Sequence, residues 1–343
     1  MIYYYGAFAW YLLVLVQGGH TQSLRVVLPA MMLPMILLAC FRGMIGTDTA
    51  FYIDLFDIIG GSSQVQFLFE PLFSVIVYVM MRIFGDAHTV LLVIAGAATL
   101  LMLSGAIKLE QQPVLFSTLV ASYLYLDLTM NAARMGLATG FSIWSIVFLV
   151  RGNRLLFIVL AAIASQIHIS SVLLTAGTWF LLEARVRTSL VIAVLAAVAY
   201  FFLYDYINNK FLAYSEIQIE SETAGLAPFL LACIALTAVA LDKKFRRENL
   251  FQIIFLFTLV FFFLLLIQFT YAGIRFQINT ILLIYLYVAA ATKRSGSPLE
   301  PKTFWPLALF ALLACVFRLR NFSAIANAAI TSPFAPFHFF WEV

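Results

Sequence analysis

The amino-acid sequence predicts an all-α, polytopic membrane protein, and three observations carry that prediction. Of its 343 residues, 64% are hydrophobic and only 10% charged, against about 45–50% and about 25% in soluble domains. Mean hydropathy is +1.02. The apolar residues come in continuous runs, without the alternation of a barrel strand. One crossing takes about 20 apolar residues, so the chain has room for roughly 10–13 membrane helices. They are expected to form one integral membrane domain over residues 1–343.

The runs fall at 2–16, 26–41, 67–84, 88–107, 113–126, 131–150, 155–183, 189–204, 226–241, 250–267, 274–291 and 303–317. The first lacks a basic leader and reads as a helix, not a cleavable signal. The run at 155–183 is long for one crossing and short for two, which predicts a bent pair of half-helices near His168. Between 26–41 and 67–84 lies a 42–66 loop, expected to be an amphipathic surface segment. On its helix, Phe51, Leu55 and Ile58 form the apolar face while Asp54 and Asp57 meet water. Gly43 and Gly46 allow a tight turn before it, and either Thr47 or Asp48 caps it. The 292–303 connection is the one flexible linker. No internal repeat is visible, which argues against a transporter built from inverted halves.

Charge fixes an orientation and excludes other partners. The net charge of +4 comes from Lys and Arg gathered between apolar runs, which reads as membrane topology and not as a nucleic-acid surface. The cluster Lys243, Lys244, Arg246 and Arg247 is expected in the cytoplasm, with Lys293–Arg294, Arg185 with Arg187, and Arg151 with Arg154. The opposite face then receives Asn131 to Arg134, His168, the 268–277 stretch and an acidic non-cytoplasmic loop at 205–224. Counting backwards from Asn131 returns the 42–66 loop to the cytoplasm unless one run between 67 and 126 is re-entrant. Three separated cysteines inside apolar runs imply neither disulfide nor metal.

Ionisable side chains near membrane helices cost about 2.5–3.5 kcal/mol each at mid-bilayer, which makes them functional candidates. Five stretches stand out. Arg42, Asp48 and Tyr52 lie in RGMIGTDTAFY. Glu70, before Pro71, is either a carboxylate at a helix N-terminus or part of a site. Asn131 and Arg134 stand at i and i+3, on one face of an expected helix, among small residues that leave room for a ligand or a close helix. His168 is flanked by Ser165, Gln166, Ser170 and Ser171. Gln268, Tyr271, Arg275 and Asn279 would line one stripe if 268–279 were helical. Arginine is the cation suited to bidentate phosphate recognition. Neither a P-loop nor a dinucleotide fingerprint nor an acidic D-x-D pair is present. A lipid-linked diphosphate is therefore the favoured ligand over a nucleotide.

In order, FRGMIGTDTAFY, FEP, NAARMGLA, IHISS and YAGIR resemble the EpsG-type branch of Wzy polysaccharide polymerases. That family's pattern runs roughly R-x-G-x-D-T-x-x-Y, E-P or E-x-G-F, N-x-x-R-x-x-x-A and F-H-x-S-A. The chain departs from it in an extra residue before Gly46-Thr47-Asp48, in Met135 where glutamine is usual, in Ile167 before the histidine, and in Ser170 and Ser171 after it.

The resemblance implies a polymerase of the bacterial inner (cytoplasmic) membrane, related to GT-C glycosyltransferases and with its active site facing periplasm or exterior. Its substrates would be undecaprenyl-diphosphate-linked saccharides, as donor and acceptor. A chain-length regulator and a flippase would be partners besides the bilayer. On that scheme Arg134 and Arg275, with Arg42 assisting, bind the diphosphate, and Tyr52, Asn131 and Tyr271 contact substrate. His168 is the first choice of base, with Asp48 and Glu70 as rivals. The scheme calls for no metal and no cofactor. A flippase or exporter of the same lipid-linked saccharide, another membrane glycosyltransferase, and a membrane acyltransferase are the competing readings.

Overall fold

The structure, a computed structural model, describes residues 1–18, 24–111, 114–183, 225–270, 272–327, 334 and 337–342. The 205–224 loop, the 189–204 run, Arg185, Arg187 and Tyr271 lie outside the described residues. Among the described residues the regular structure is all helix, apart from one isolated antiparallel bridge between Arg42 and Phe339. In a bilayer every backbone polar group must be satisfied internally, and helices do this within one segment. Among the described residues, five helices are long and apolar enough to cross a membrane by length and composition, and six shorter apolar ones accompany them. The chain is an all-α polytopic membrane protein.

Two compact units are present. The first comprises Met1–Val172 and Ala311–Val343. It contains α1 (Ile2–Gly18), α2 (Leu24–Cys40), α3 (Thr49–Gly61), α4 (Pro71–Phe84), α5 (Ala87–Leu109), α6 (Ala133–Val150) and α7 (Arg154–Ile167). Helices α5, α6 and α7 pack in series as its centre. The buried faces of α5 and α6 carry small residues such as Ala95, Ala98 and Ala106 against Ala138, Ser142 and Ser145. Small side chains let helix backbones approach closely, which drives helix association where lipid removes the hydrophobic difference. Ser142 and Ser145 hydrogen-bond carbonyls of their own helix, which satisfies their hydroxyls inside the packed face.

The second unit, Leu173–Phe310, holds most of α8 (Ser171–Glu183), α9 (Leu226–Ala240), α10 (Lys243–Ile267), α11 (Ala272–Ser295) and the start of α12 (Pro301–Asn327). Asp242 caps α10 by accepting from the Phe245 amide at 2.8 Å, and accepts from the Glu300 amide at 2.7 Å. The expected 292–303 linker is thereby pinned to the start of α10. The basic cluster at 243–247 forms the first turns of that helix, ahead of a kink at Asn249.

The 113–126 run, among those the topology leaves open to be re-entrant, is irregularly wound: π-helical turns at Phe116–Ala121 and Asp127–Asn131 flank a short turn. Nearly all of 114–130 is buried, the setting in which non-ideal backbone is tolerated at membrane depth. Its hydroxyls fold back on its own carbonyls, Thr118 to Val114 at 2.5 Å and Thr129 to Tyr125 at 2.7 Å. On α3 the stripe packed against the protein is Thr49, Tyr52, Phe56 and Ile59, while the expected apolar face of Phe51, Leu55 and Ile58 points outward. Those three are half-buried or exposed, with Phe51 and Ile58 more than half open. The helix has two apolar stripes and one acidic one. Packing takes the stripe bearing Tyr52, and the other faces outward, as suits a helix lying at a membrane surface.

Candidate active site

Glu70 is where three distant segments meet. It precedes Pro71 at the start of α4, and its carboxylate makes no cap bond to that helix. Instead Oε2 accepts from Arg134 Nη1 at 2.5 Å, while Oε1 lies 3.2 Å from His168 Nδ1 and 3.4 Å from the Ile169 amide. Glu70 thus stands at the N-cap position of α4 while its carboxylate bonds across the fold. Arg134 opens α6, and His168 ends α7 in extended backbone. The expected bend in 155–183 is this break at His168, between α7 and α8.

The cluster is shielded but open to ligand: side-chain exposures are 12% for Glu70, 23% for Arg134 and 16% for His168. Phe69 places its ring 4.6 Å below the Arg134 guanidinium, a cation–π contact, and packs among Tyr52, Phe56 and Phe73. Burial alone would push the Glu70 carboxyl up. The hydrogen bond with His168 and the Arg134 charge outweigh it and hold the carboxyl down at about 2. Glu70 is thus a fixed anion and a poor base. Because its folded value lies below the free value of 4.5, its ion pair contributes stability that is present above that value and lost as pH falls toward 2. Acid titration of the wild type should therefore lower the melting midpoint between those values, and Glu70→Gln should flatten that slope.

The 42–49 turn packs beside the 127–131 segment. Gly46 has φ +115°, and a Cβ there would stand 2.7 Å from the Met130 carbonyl and 2.9 Å from Asn131 Oδ1, so only glycine fits. The Thr47 amide donates to Asn131 Oδ1 at 3.1 Å. Asp48 occupies the N-cap position of α3 but makes no cap bond; its carboxylate accepts only from the Thr47 hydroxyl, at 3.0 Å, among the described residues.

A family model described as the EpsG family matches residues 25–338. The chain belongs to the EpsG family. No curated protein and no solved structure matches it. The matched range takes in the whole Glu70 cluster, and membership makes this a multi-pass membrane protein of polysaccharide biosynthesis.

Other candidate residues of this EpsG-family chain are placed differently from expectation. Asn131 and Arg134 do not share a helix face. Asn131 closes a π turn, Ala132 breaks the helix, and only Arg134 belongs to α6. The small residues around them serve close backbone approach, since a Cβ on Gly136 would collide with the Leu128 carbonyl. The 268–279 stripe is not one helix: α10 ends at Ile267, and α11 starts at Ala272. Arg275 is exposed on α11 in the second unit, while Gln277 and Asn279 are buried. Arg42 is fully buried. Its Nη1 donates to the Ala39 and Thr129 carbonyls at 2.8 and 3.0 Å, while Nε and Nη2 have no hydrogen-bond partner among the described residues. Tyr52 lies within electrostatic reach of both Arg42 and Arg134.

Sequence reasoning missed Phe69, Asp127 and Arg318. Asp127 and Arg318 form an ion pair. Both are ionisable residues at the ends of apolar runs, the same signal that selected the others.

Proposed function

We propose that the chain is a polysaccharide polymerase that joins undecaprenyl-diphosphate-linked repeat units, with the lipid diphosphate as leaving group. The observation that carries this reading is Glu70 holding a guanidinium and an imidazole side by side. His168 is engaged through Nδ1, and its Nε2 bonds to no described residue. An imidazole oriented by a carboxylate on one nitrogen can take a proton on the other. In the step proposed, an acceptor sugar hydroxyl attacks the anomeric carbon of the donor. Its proton passes to His168 Nε2, the anomeric C–O bond breaks, and the electron pair leaves on the diphosphate. Arg134, fixed by Glu70 and backed by Phe69, stabilises the charge that grows on the leaving group. Asp48, Tyr52 and Asn131 border the acceptor side, and Arg275 enters the proposal on its motif alone. Fixed at about 2, Glu70 orients the base and is not itself the base.

The test is reconstitution in liposomes with a lipid-diphosphate-linked repeat unit, read as a gel ladder. Wild type should extend the ladder without nucleotide sugar. His168→Ala should slow it by about 10²–10⁴-fold, and Arg134→Ala by about 10²–10³-fold. If wild type binds the lipid-linked unit, extends nothing and moves it across vesicles, the exporter reading replaces this one.

A further inference from the structure

We propose that Arg318 and Asp127 are positioning residues, which set the 46–48 turn through Asn131. The inference rests on the polymerase reading for its consequence and on geometry alone for its substance.

Arg318 lies on α12 within the first unit, 191 residues along the chain from Asp127 (318 − 127). Its Nη2 pairs with Asp127 Oδ1, and its side chain is only 11% exposed. The guanidinium is held over the Phe322 ring at 4.6 Å and near that of Tyr123 at 5.9 Å. The same Oδ1 of Asp127 accepts from Asn131 Nδ2 at 2.8 Å. That bond fixes which way the Asn131 amide points: nitrogen toward Asp127, oxygen toward the turn. The oxygen then accepts from the Thr47 amide at 3.1 Å. An asparagine without the carboxylate could present either end, and its NH₂ cannot accept from a backbone N–H. The polarity of the chain, Arg318 to Asp127 to Asn131 to Thr47, is therefore set at its far end by a cation.

The segment so held has reason to need holding. Asp127–Asn131 is π-helical, a wound form that is rare and frequent at functional sites where it does occur. Its neighbouring carbonyls serve the site as well: Thr129 O accepts from Arg42, and Met130 O faces the Gly46 turn. Arg134 follows within one turn. Misplacing this segment would move the 46–48 turn relative to Arg134, and small displacements of positioning groups are costly in rate.

The experiment is hydrogen exchange on the peptide covering 43–50 in detergent-solubilised full-length protein, alongside the ladder assay. Arg318→Met, Asp127→Asn and Asn131→Ala should each speed exchange at the Thr47 amide by about tenfold, as expected for loss of one hydrogen bond. Arg318→Met combined with Asn131→Ala should be no faster than Asn131→Ala alone, because the effect passes through that residue. Arg318→Lys should restore much of the protection. Ladder rates, taken per folded protein, should fall in each variant that loosens the turn. If Arg318→Met does not fold, the near-isosteric Asp127→Asn carries the test. Unchanged exchange in 43–50, an additive double variant, or a wild-type ladder rate from a loosened turn would each overturn the inference. A wild type that extends no ladder overturns the polymerase reading instead, while exchange still decides the positioning.

Discussion

Glu70→Gln is expected to reduce ladder extension by about 10²–10³-fold, the largest loss from any change that preserves side-chain shape. The amide matches the carboxylate in size but can accept on one atom only. Wild-type Glu70 accepts on both, from Arg134 on Oε2 and from His168 and the Ile169 amide on Oε1. Glutamine therefore turns an NH₂ toward one of two donors and loses that bond outright. In either orientation the largely buried Arg134 guanidinium loses its counter-ion, and if the NH₂ faces Arg134 it loses the hydrogen bond as well. If it faces His168, the imidazole loses the acceptor that orients it. Glu70→Asp keeps the charge but withdraws it by one methylene, so it should reach one partner and retain part of the rate. The double variant Glu70→Gln with His168→Ala is the decisive comparison. Groups that act as a unit are grossly non-additive, so the double should be little worse than His168→Ala alone. Additive losses, or a Glu70→Gln ladder within about threefold of wild type, would remove Glu70 from the centre of the site.

The sequence made some of this visible, and the reasons differ residue by residue. His168 stood out because an ionisable group in an apolar run is costly, and its serine and glutamine neighbours marked a helix break that the fold contains. That Glu70 joins Arg134 and His168 was not visible: the three are 64 and 98 residues apart, and periodicity reports only neighbours within a few turns. That α3 also packs a second stripe, Thr49, Tyr52, Phe56 and Ile59, was not visible for a related reason. Membrane proteins have two apolar environments, protein and lipid, and a hydrophobic pattern does not tell them apart. At 113–131 hydropathy reports burial correctly, but a buried π-wound coil and a regular helix share one composition. The 268–279 stripe assumed a helix through residues where the chain turns. Asp127 and Arg318 were passed over because each looked like a lone anchor at the end of a run. Their meaning depends on the pairing, which only the fold supplies.

Arg42→Met should leave the protein as stable as wild type, or more so, while reducing polymerisation by about a hundredfold. Arg42 is fully buried, with two nitrogens lacking hydrogen-bond partners among the described residues. Burial pushes its pKa down to about 10, which still leaves it charged at neutral pH. A buried ion carries a desolvation cost of several kcal/mol. Two carbonyl bonds, to Ala39 and Thr129, recover about 1.5–3 kcal/mol each, and methionine fills similar space without the penalty. Destabilising groups of this kind persist where function needs them. The function proposed here is a field. At an effective dielectric of about 20, a unit charge about 10 Å from a diphosphate bearing about two negative charges contributes about 3 kcal/mol. If that attraction grows as the leaving group departs, it amounts to about a hundredfold in rate. Such a field needs charge and not a guanidinium fork, so Arg42→Lys should retain much of the activity that Arg42→Met loses. A melting midpoint that falls by several degrees in Arg42→Met, with specific activity intact in the folded fraction, would make Arg42 a structural clamp between α2 and the 127–131 segment. Equal losses in the Met and Lys variants would instead put the fork itself in contact with the phosphate. Thermal unfolding and ladder rates on the same three preparations separate the cases, because only the field ties activity to charge while leaving stability free to rise.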